Sequence, residues 1–276
     1  MEEKKIHWGT NCMDCLEGLK LLKDNSIDLV VTSPPYDNLR KYKGFSFDFE
    51  NIAKELYRVM KEGGVIVWVV GDSTLNGTES LTSFKQALYF KEIGFNILDT
   101  MIYEKNGCGA CGSNKCYIQN FEYMFIITKG KINTFNLIYD RENKITGKQK
   151  VNTNRDKFTA DNGRKYRQIE TKKYGRRFNI WKYNQSTHDD FSKQHPAPFP
   201  EQLAEDHIIS WSNENDIVMD IFSGSGTTHK MALKNNRRFI GFELSQEYVN
   251  IEEQRIKDCD LWCYDENYKI IKNREE

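Results

Sequence analysis

The sequence predicts a doubly wound, mostly parallel α/β sheet carrying an insertion. Three observations carry that expectation. Short apolar runs alternate with amphipathic stretches along most of the chain. A glycine-rich turn, Phe222-Ser223-Gly224-Ser225-Gly226, stands between a buried run and a helical one, where open α/β sheets bind ligands. A polar, basic stretch over 130–190 interrupts the alternation, which then resumes. At 276 residues the chain suits one such domain plus an insert.

Taken in order, Ile27–Val31 (IDLVV) reads as a buried parallel strand that runs into the rigid turn Thr32-Ser33-Pro34-Pro35-Tyr36. Phe49–Met60 has helical periodicity through Ile52, Leu56, Val59 and Met60, and is expected to stop at Gly63-Gly64. Val65–Val70 is a second buried strand. Ser83–Ile93 is a helix closed by Gly94. Ile97–Tyr103 and Glu122–Thr128 are further strands around a Gly/Cys-rich loop. Residues 131–190 read as an inserted module of loops and short elements. After it come a helix over Pro200–Trp211, a strand over Ile217–Ile221, a helix over Thr227–Lys234, a strand over Phe239–Phe242 and an amphipathic helix over Gln246–Lys257.

Composition excludes several classes. With 38% hydrophobic and 13% aromatic residues the chain can build a packed core, so global disorder is not expected. No apolar run approaches the ~18 residues that span a bilayer. The start, Met1-Glu2-Glu3-Lys4-Lys5, lacks the apolar stretch of a signal peptide, so a soluble cytoplasmic protein is expected. Seven cysteines without an export signal argue against a disulfide framework. The net charge is zero, yet residues 131–182 hold 15 basic and 5 acidic residues. A segment that basic, beside an acidic remainder, can supply a local phosphate-binding surface.

Two loops carry the candidate chemistry. In Asp220-Ile221-Phe222-Ser223-Gly224-Ser225-Gly226-Thr227-Thr228 the glycines allow a sharp turn and close approach to a ligand. Glu243 follows Gly226 by 17 residues at the end of the next strand, a position from which a carboxylate can bond ribose hydroxyls. The third glycine of a dinucleotide fingerprint is missing, which favours a smaller, pyrophosphate-free cofactor. The second loop, Ser33-Pro34-Pro35-Tyr36, offers carbonyls without N–H groups and a serine hydroxyl that can accept. It suits a substrate presenting N–H donors, such as an exocyclic amine, with the Tyr36 ring as a stacking face.

Together, TSPPY after IDLVV and DIFSGSGTT before a helix resemble the amino-directed DNA methyltransferases that use S-adenosylmethionine. The order of catalytic loop, basic variable insert and cofactor loop resembles their circularly permuted β group. The resemblance implies a Rossmann-like methyltransferase fold. Residues 1–129 would be its catalytic half, 130–190 a target-recognition insert and 191–276 its cofactor half. It implies that Ser33, Pro34, Pro35 and Tyr36 are catalytic. His195-Pro196-Ala197-Pro198-Phe199-Pro200 looks like the motif lining the donor's methionine end, with His195, Pro196, Phe199 and Pro200 as candidates. Asp14, beside Met13, sits where the family has a pair near the donor's adenine. Asp220, Phe222, Gly224, Gly226, Thr227 and Glu243 complete the implied donor site.

The implied mechanism is direct transfer to a flipped base held by Ser33 Oγ and the Pro34 carbonyl. Serine in the loop's first position favours N4 of cytosine over N6 of adenine. The implied partners are double-stranded DNA and, where the enzyme protects a host or phage genome, a cognate restriction endonuclease. The chain would act as a monomer or homodimer and be of bacterial or phage origin. Two rivals remain: an RNA or protein amide methyltransferase, and a DNA-binding protein without catalysis.

Within the insert, Tyr166, Arg167, Tyr174, Arg176 and Arg177 mix aromatic rings with positive charge and are the candidate DNA contacts. Cys108, Cys111 and Cys116, and the pair Cys12 and Cys15, lack a convincing fourth ligand, so no metal is expected. His188 and Asp189 read as part of a solvated loop.

Overall fold

The computed structural model describes residues 6–35, 47–106, 117–152, 166–184 and 200–258. Along the chain run β1 (Gly9–Cys12), α1 (Cys15–Leu21), β2 (Ile27–Thr32), α2 (Phe49–Val59) and β3 (Met60–Val70). A small hairpin, β4 (Thr74–Leu75) and β5 (Thr78–Glu79), leads to α3 (Thr82–Glu92), β6 (Asn96–Asn106) and β7 (Phe121–Thr128). Then come β8 (Arg141–Glu142), β9 (Gly147–Asn152), β10 (Tyr166–Thr171), β11 (Tyr174–Gly175) and β12 (Ile180–Asn184). The chain continues with α4 (Glu201–Trp211), β13 (Ile217–Asp220), α5 (Thr227–Lys234), β14 (Arg238–Glu243) and α6 (Gln246–Asp258).

Two compact units result. One comprises Met1–Asn136 with Asn179–Glu276, the other Leu137–Phe178. In the first, eight strands form one sheet in the order β1-β14-β13-β2-β3-β7-β6-β12. Every neighbouring pair is parallel except those made by β7, which runs against both β3 and β6. Seven strands therefore end on the same edge. The predicted doubly wound, mostly parallel sheet is what the chain forms.

Local chemistry explains the elements. β3 is buried along Val65–Val70, as an unbroken apolar run in a sheet covered on both faces should be. α2 buries Ile52, Ala53, Leu56 and Val59 on one stripe and is capped by Asp48, whose side chain accepts from the Asn51 amide. Gly18 of α1 lies where an added Cβ would strike the Phe242 ring, so glycine permits close contact between α1 and β14.

Two sequence expectations change. α2 ends at Val59, and Met60–Gly64 joins β3, so the glycine pair lies inside a strand. The Met60 N–H still closes the helix on the Leu56 carbonyl. Ile180–Asn184, expected to be part of the insert, is the sheet's edge strand, paired with Ile102–Asn106. Its alternation is the reason: Trp181 and Tyr183 are buried while Ile180 and Lys182 face out. The Tyr183 hydroxyl donates to Asp206 at 2.6 Å, and the Trp181 ring stacks on His207 at 4.5 Å.

The second unit, Leu137–Phe178, contains two small ribbons, β9–β10 and β8–β11, both antiparallel. Among the described residues no helix is long and apolar enough to cross a membrane.

Candidate active site at the sheet's carboxyl edge

β2 and β13 are neighbours in the sheet although about 190 residues apart in the chain. This adjacency brings the turn after Thr32 beside the turn after Asp220. One buried carboxylate ties them together. Asp220 Oδ1 accepts from Thr32 Oγ1 at 2.6 Å and from the Phe222 amide at 3.0 Å. Its Oδ2 accepts from Thr228 Oγ1 at 2.8 Å. Burial pushes the Asp220 carboxyl up to about 6, although these three bonds pull it down. Asp220 is 2% exposed. The structure thus puts this predicted donor residue behind the loop as a strut, where it orients both turns.

The glycine loop has the expected geometry. Gly224 and Gly226 both have positive φ, 52° and 76°, conformations that side-chain-bearing residues rarely adopt. The Gly226 N–H bonds the Ser223 carbonyl at 2.9 Å, and Gly226 caps α5, so Thr227 opens the helix. Thr227 is buried, its hydroxyl 3.1 Å from Arg255 Nη1. Phe222 is half-buried, its ring edge-on to Phe47 at 5.7 Å.

Glu243 ends β14 beside this loop. Its Oε2 accepts from the Gly224 amide at 3.0 Å and its Oε1 from the Ser245 amide at 2.8 Å. Burial raises its carboxyl above the usual range, opposed by those two amides. A carboxylate oxygen has two lone pairs, so each Glu243 oxygen keeps one for a ribose hydroxyl. That donor set, beside a turn open to close backbone approach, fits a nucleoside-bearing cofactor.

Asp14 lies on the same edge. It caps α1, accepting from the Leu16 and Glu17 amides at 2.9 and 3.2 Å. The Met13 amide bonds the Glu243 carbonyl at 3.0 Å, which brings Asp14 close to Glu243. Nearby, burial pushes the Cys15 thiol up to about 12, so it stays neutral at pH 7. Among the described residues no group of three His, Cys, Asp or Glu side chains could hold a metal ion.

Ser33 and Pro35 are partly exposed, and Pro34 is buried, at the end of β2. Pro200 caps α4 on the same edge. Tyr36, His195, Pro196 and Phe199 lie outside the described residues, as do Cys108, Cys111, Cys116, His188 and Asp189. In the second unit, Arg167 and Arg176 are exposed and Tyr174 is 45% exposed. Arg177 is braced by Asp140, its Nε at 2.9 Å and its Nη2 at 2.5 Å from Oδ2. Tyr166 opens β10, paired with Asn152.

Sequence reasoning missed Thr32, Thr228, Glu252 and Arg255. Glu252 carries a legible signal. Val249, Glu252 and Ile256 follow the i, i+3, i+7 spacing of a buried helical stripe, and a charge on such a stripe calls for a partner.

Comparisons with known proteins agree with this geometry. A family model described as DNA methylase matches residues 27–254. The orphan methyltransferase M.BamHII of Bacillus amyloliquefaciens is 54% identical over 258 residues, covering 92% of this chain and 94% of that protein. M.BglII of Bacillus subtilis, a type II methyltransferase, is 30% identical over 87% of this chain and 66% of its own. The PvuII DNA methyltransferase structure, described as cytosine-N4-specific, has a TM-score of 0.66 at 20% identity, covering 96% of this chain and 91% of its own. With a family match across most of the length and a relative above half identity, the chain belongs to the N6/N4 DNA methylase family and is a DNA methyltransferase with S-adenosylmethionine as its methyl donor.

Proposed function

We propose that the enzyme methylates the N4 amino group of cytosine in double-stranded DNA, and that it belongs to the permuted β group of its family. Serine at position 33 supports cytosine N4, and the observation that supports the transfer geometry is the Thr32–Asp220–Thr228 bridge. It joins the root of the Ser33-Pro34-Pro35-Tyr36 loop to the glycine loop through one buried carboxylate. A base-binding loop and a donor-binding loop must hold fixed positions for in-line transfer, and a shared strut provides that. The chain order, with β2 preceding β13 and the second unit between them, supports the permuted assignment.

When bound, S-adenosylmethionine supplies an electrophilic methyl group. The chain's residues do the rest. Glu243 accepts the ribose hydroxyls, and Gly224 and Gly226 let the backbone approach closely. Asp14 and Phe222 serve the adenine side, and His195, Pro196, Phe199 and Pro200 the methionine end. The Ser33 hydroxyl and the Pro34 carbonyl accept the two hydrogens of the target amine. These bonds draw its nitrogen out of conjugation and direct its lone pair at the methyl group. Pro35 stiffens the loop, and Tyr36 stacks on the flipped base. The N–C bond would form as the donor's S–C bond breaks, leaving a neutral thioether, and one of the two amine hydrogens would leave as a proton to solvent. This needs positioning and electrostatics, with no covalent enzyme intermediate.

The second unit is the target-recognition element in this reading. Residues 137–178 carry 13 Lys and Arg against 5 Asp and Glu. A two-stranded ribbon such as β9–β10 matches the width of a major groove. Lys148, Lys150, Gln168 and Glu170 share one face by register and are exposed. There the lysines suit phosphates, and the Gln168 amide suits a base edge. Arg167, Tyr174 and Arg176 supply further contacts, with Tyr166 and Arg177 at the ribbons' ends.

The test is direct. Purified protein is incubated with S-adenosylmethionine and unmodified genomic DNA, and the digested nucleosides are analysed by mass spectrometry. N4-methylcytosine is expected. N6-methyladenine would overturn the base assignment and leave donor and mechanism intact. Neither product, with donor binding intact, would overturn the DNA substrate.

A further inference from the structure

α6 lies behind the glycine loop and inserts two charged side chains from that side. Glu252 and Arg255 are each 1% exposed, on the same helix as the buried Val249 and Ile256. Burying a guanidinium is costly unless its hydrogen bonds are good. Arg255 Nη1 donates to the Ser225 carbonyl at 2.8 Å. Its Nη2 donates to Glu201 Oε1 at 2.6 Å. Glu201 opens α4 directly after Pro200 and also receives Lys230 Nζ of α5 at 2.7 Å. One guanidinium therefore joins the glycine loop to the first turn of α4.

The consequence for the loop is specific. The peptide between Ser225 and Gly226 is held at both ends, its carbonyl by Arg255 and its N–H by the Ser223 carbonyl. Its plane is fixed, and Gly226, at φ 76°, follows at once. A well-packed apolar side chain at 255 could match a buried ion pair in stability. It could not hold the Ser225 carbonyl and Glu201 at set directions. The planar fork of arginine can, and a lysine ammonium cannot reproduce it.

We propose that Arg255 is a positioning residue for methyl-donor binding. By fastening the Ser225 carbonyl to Glu201, it sets the backbone of the glycine loop and holds the start of α4 in register with it. Arg255 acts through the loop and need not touch the donor. The inference rests on the reading that the glycine loop and residues 195–200 hold the donor.

Calorimetry with S-adenosylmethionine on the full chain tests it, using Arg255→Lys, Glu201→Gln and the double variant, with KM for DNA measured separately. Arg255→Lys is expected to weaken donor binding about tenfold, as coupled neighbours do, while KM for DNA stays within about twofold. Glu201→Gln should weaken it several-fold. The double variant should lose less than the product of the two, because both act through one contact. A folded Arg255→Lys protein that binds the donor with wild-type affinity would overturn the proposal, and so would losses that simply multiply. If Arg255→Lys does not fold, Glu201→Gln decides alone, and wild-type donor affinity in it is the overturning result. Failure of the underlying reading has a different signature: Gly224→Val and Glu243→Gln would both keep wild-type donor affinity, meaning that the donor sits elsewhere.

Discussion

The sheet's carboxyl edge and the Leu137–Phe178 unit are built by opposite rules. At the edge, polar groups are buried and shared: Asp220 serves Thr32, Thr228 and Phe222, and Glu243 serves Gly224 and Ser245. In the second unit Gly147, Lys148, Lys150 and residues 167–170 of the ribbon β9–β10 are exposed, and Gln149 and Thr171 are partly buried. A two-stranded ribbon has little stability of its own. The contrast teaches a division of labour. Under the proposed function, chemistry that needs fixed atoms would sit on the rigid sheet, whereas the surface that matches one DNA sequence would be carried on a scaffold whose side chains can change at little cost to the core.

The largest expected effects lie at the edge. Under the proposed function Ser33→Ala removes one acceptor for the target amine and should lower kcat by about 100- to 1000-fold, as loss of one preorganised hydrogen-bonding group does. Donor affinity by calorimetry should be unchanged. Gly224→Val should do the reverse, abolishing donor binding because φ of 52° and close backbone approach are denied to valine. Identical behaviour of the two variants would mean that the two loops do not divide base and donor between them.

Next comes the strut. Asp220 titrates near 6 in the folded chain, against 3.8 ordinarily. A folded pKa above the unfolded one means that the native state binds the proton more tightly. Stability from this group is then full below pH 3.8 and is lost as the pH rises through 6, about 3 kcal/mol in all. Asp220→Asn lacks that decline. The Asn amide can donate to Thr228 Oγ1, whose own proton turns to the Val31 carbonyl, 3.3 Å away. Urea unfolding at pH 4 and pH 7 should give a wild-type stability change that is lower by most of this amount than the variant's. Parallel pH profiles would remove Asp220 as the ionisable centre of the edge.

The ribbon should respond more gently and in two ways. Lys148→Ala should weaken DNA binding alike for all sequences and reduce the slope of log affinity against log salt by about 1. Gln168→Ala should cost about 1–3 kcal/mol at the recognised site only. Filter binding across a salt series with cognate and scrambled duplexes separates them. If Gln168→Ala weakened both duplexes equally, the ribbon would be a phosphate platform with no reading role.

The same contrast explains what the sequence made legible. β2, β3 and β13 are continuous apolar runs ending in glycine or proline turns, so periodicity and punctuation locate them. The roles of Thr32 and Arg255 depend on the β2–β13 adjacency and on α6 reaching the loop, contacts across 188 and 28 residues that no local pattern encodes, whereas Thr228 meets Asp220 8 residues away in the chain. The edge strand β12 was hidden for another reason. Its five residues alternate, and the basic run just before it, residues 172–177, gave it the composition of the insert. In the second unit, positive charge was readable, but which cation is engaged was not: Arg177 is bound to Asp140, whereas Arg141 lies over the Phe178 ring at 4.5 Å.

That Arg177–Asp140 pair supplies the smallest and most discriminating test. The bonded guanidinium holds the Asp140 carboxyl below its usual range, and Asp140 is 49% exposed. A depressed folded pKa contributes stability above pH 3.8 that is lost as the pH falls through the folded value, opposite in sign to Asp220. Solvent screening limits an exposed pair to about 0–1 kcal/mol. Asp140→Asn should therefore speed amide exchange at Arg177, whose N–H bonds the Ile138 carbonyl, by no more than about fivefold at pH 7. The difference should shrink as the pH falls through the lowered folded value of Asp140, and exchange in β3 should not change. A large effect reaching β3 would mean that the insert is built like the edge, with a buried polar hub as its foundation, and the division of labour would fail. A small effect confined to the second unit fits a scaffold held by many weak ties, the kind of surface on which, under the proposed function, a new recognition sequence could be written without disturbing the chemistry.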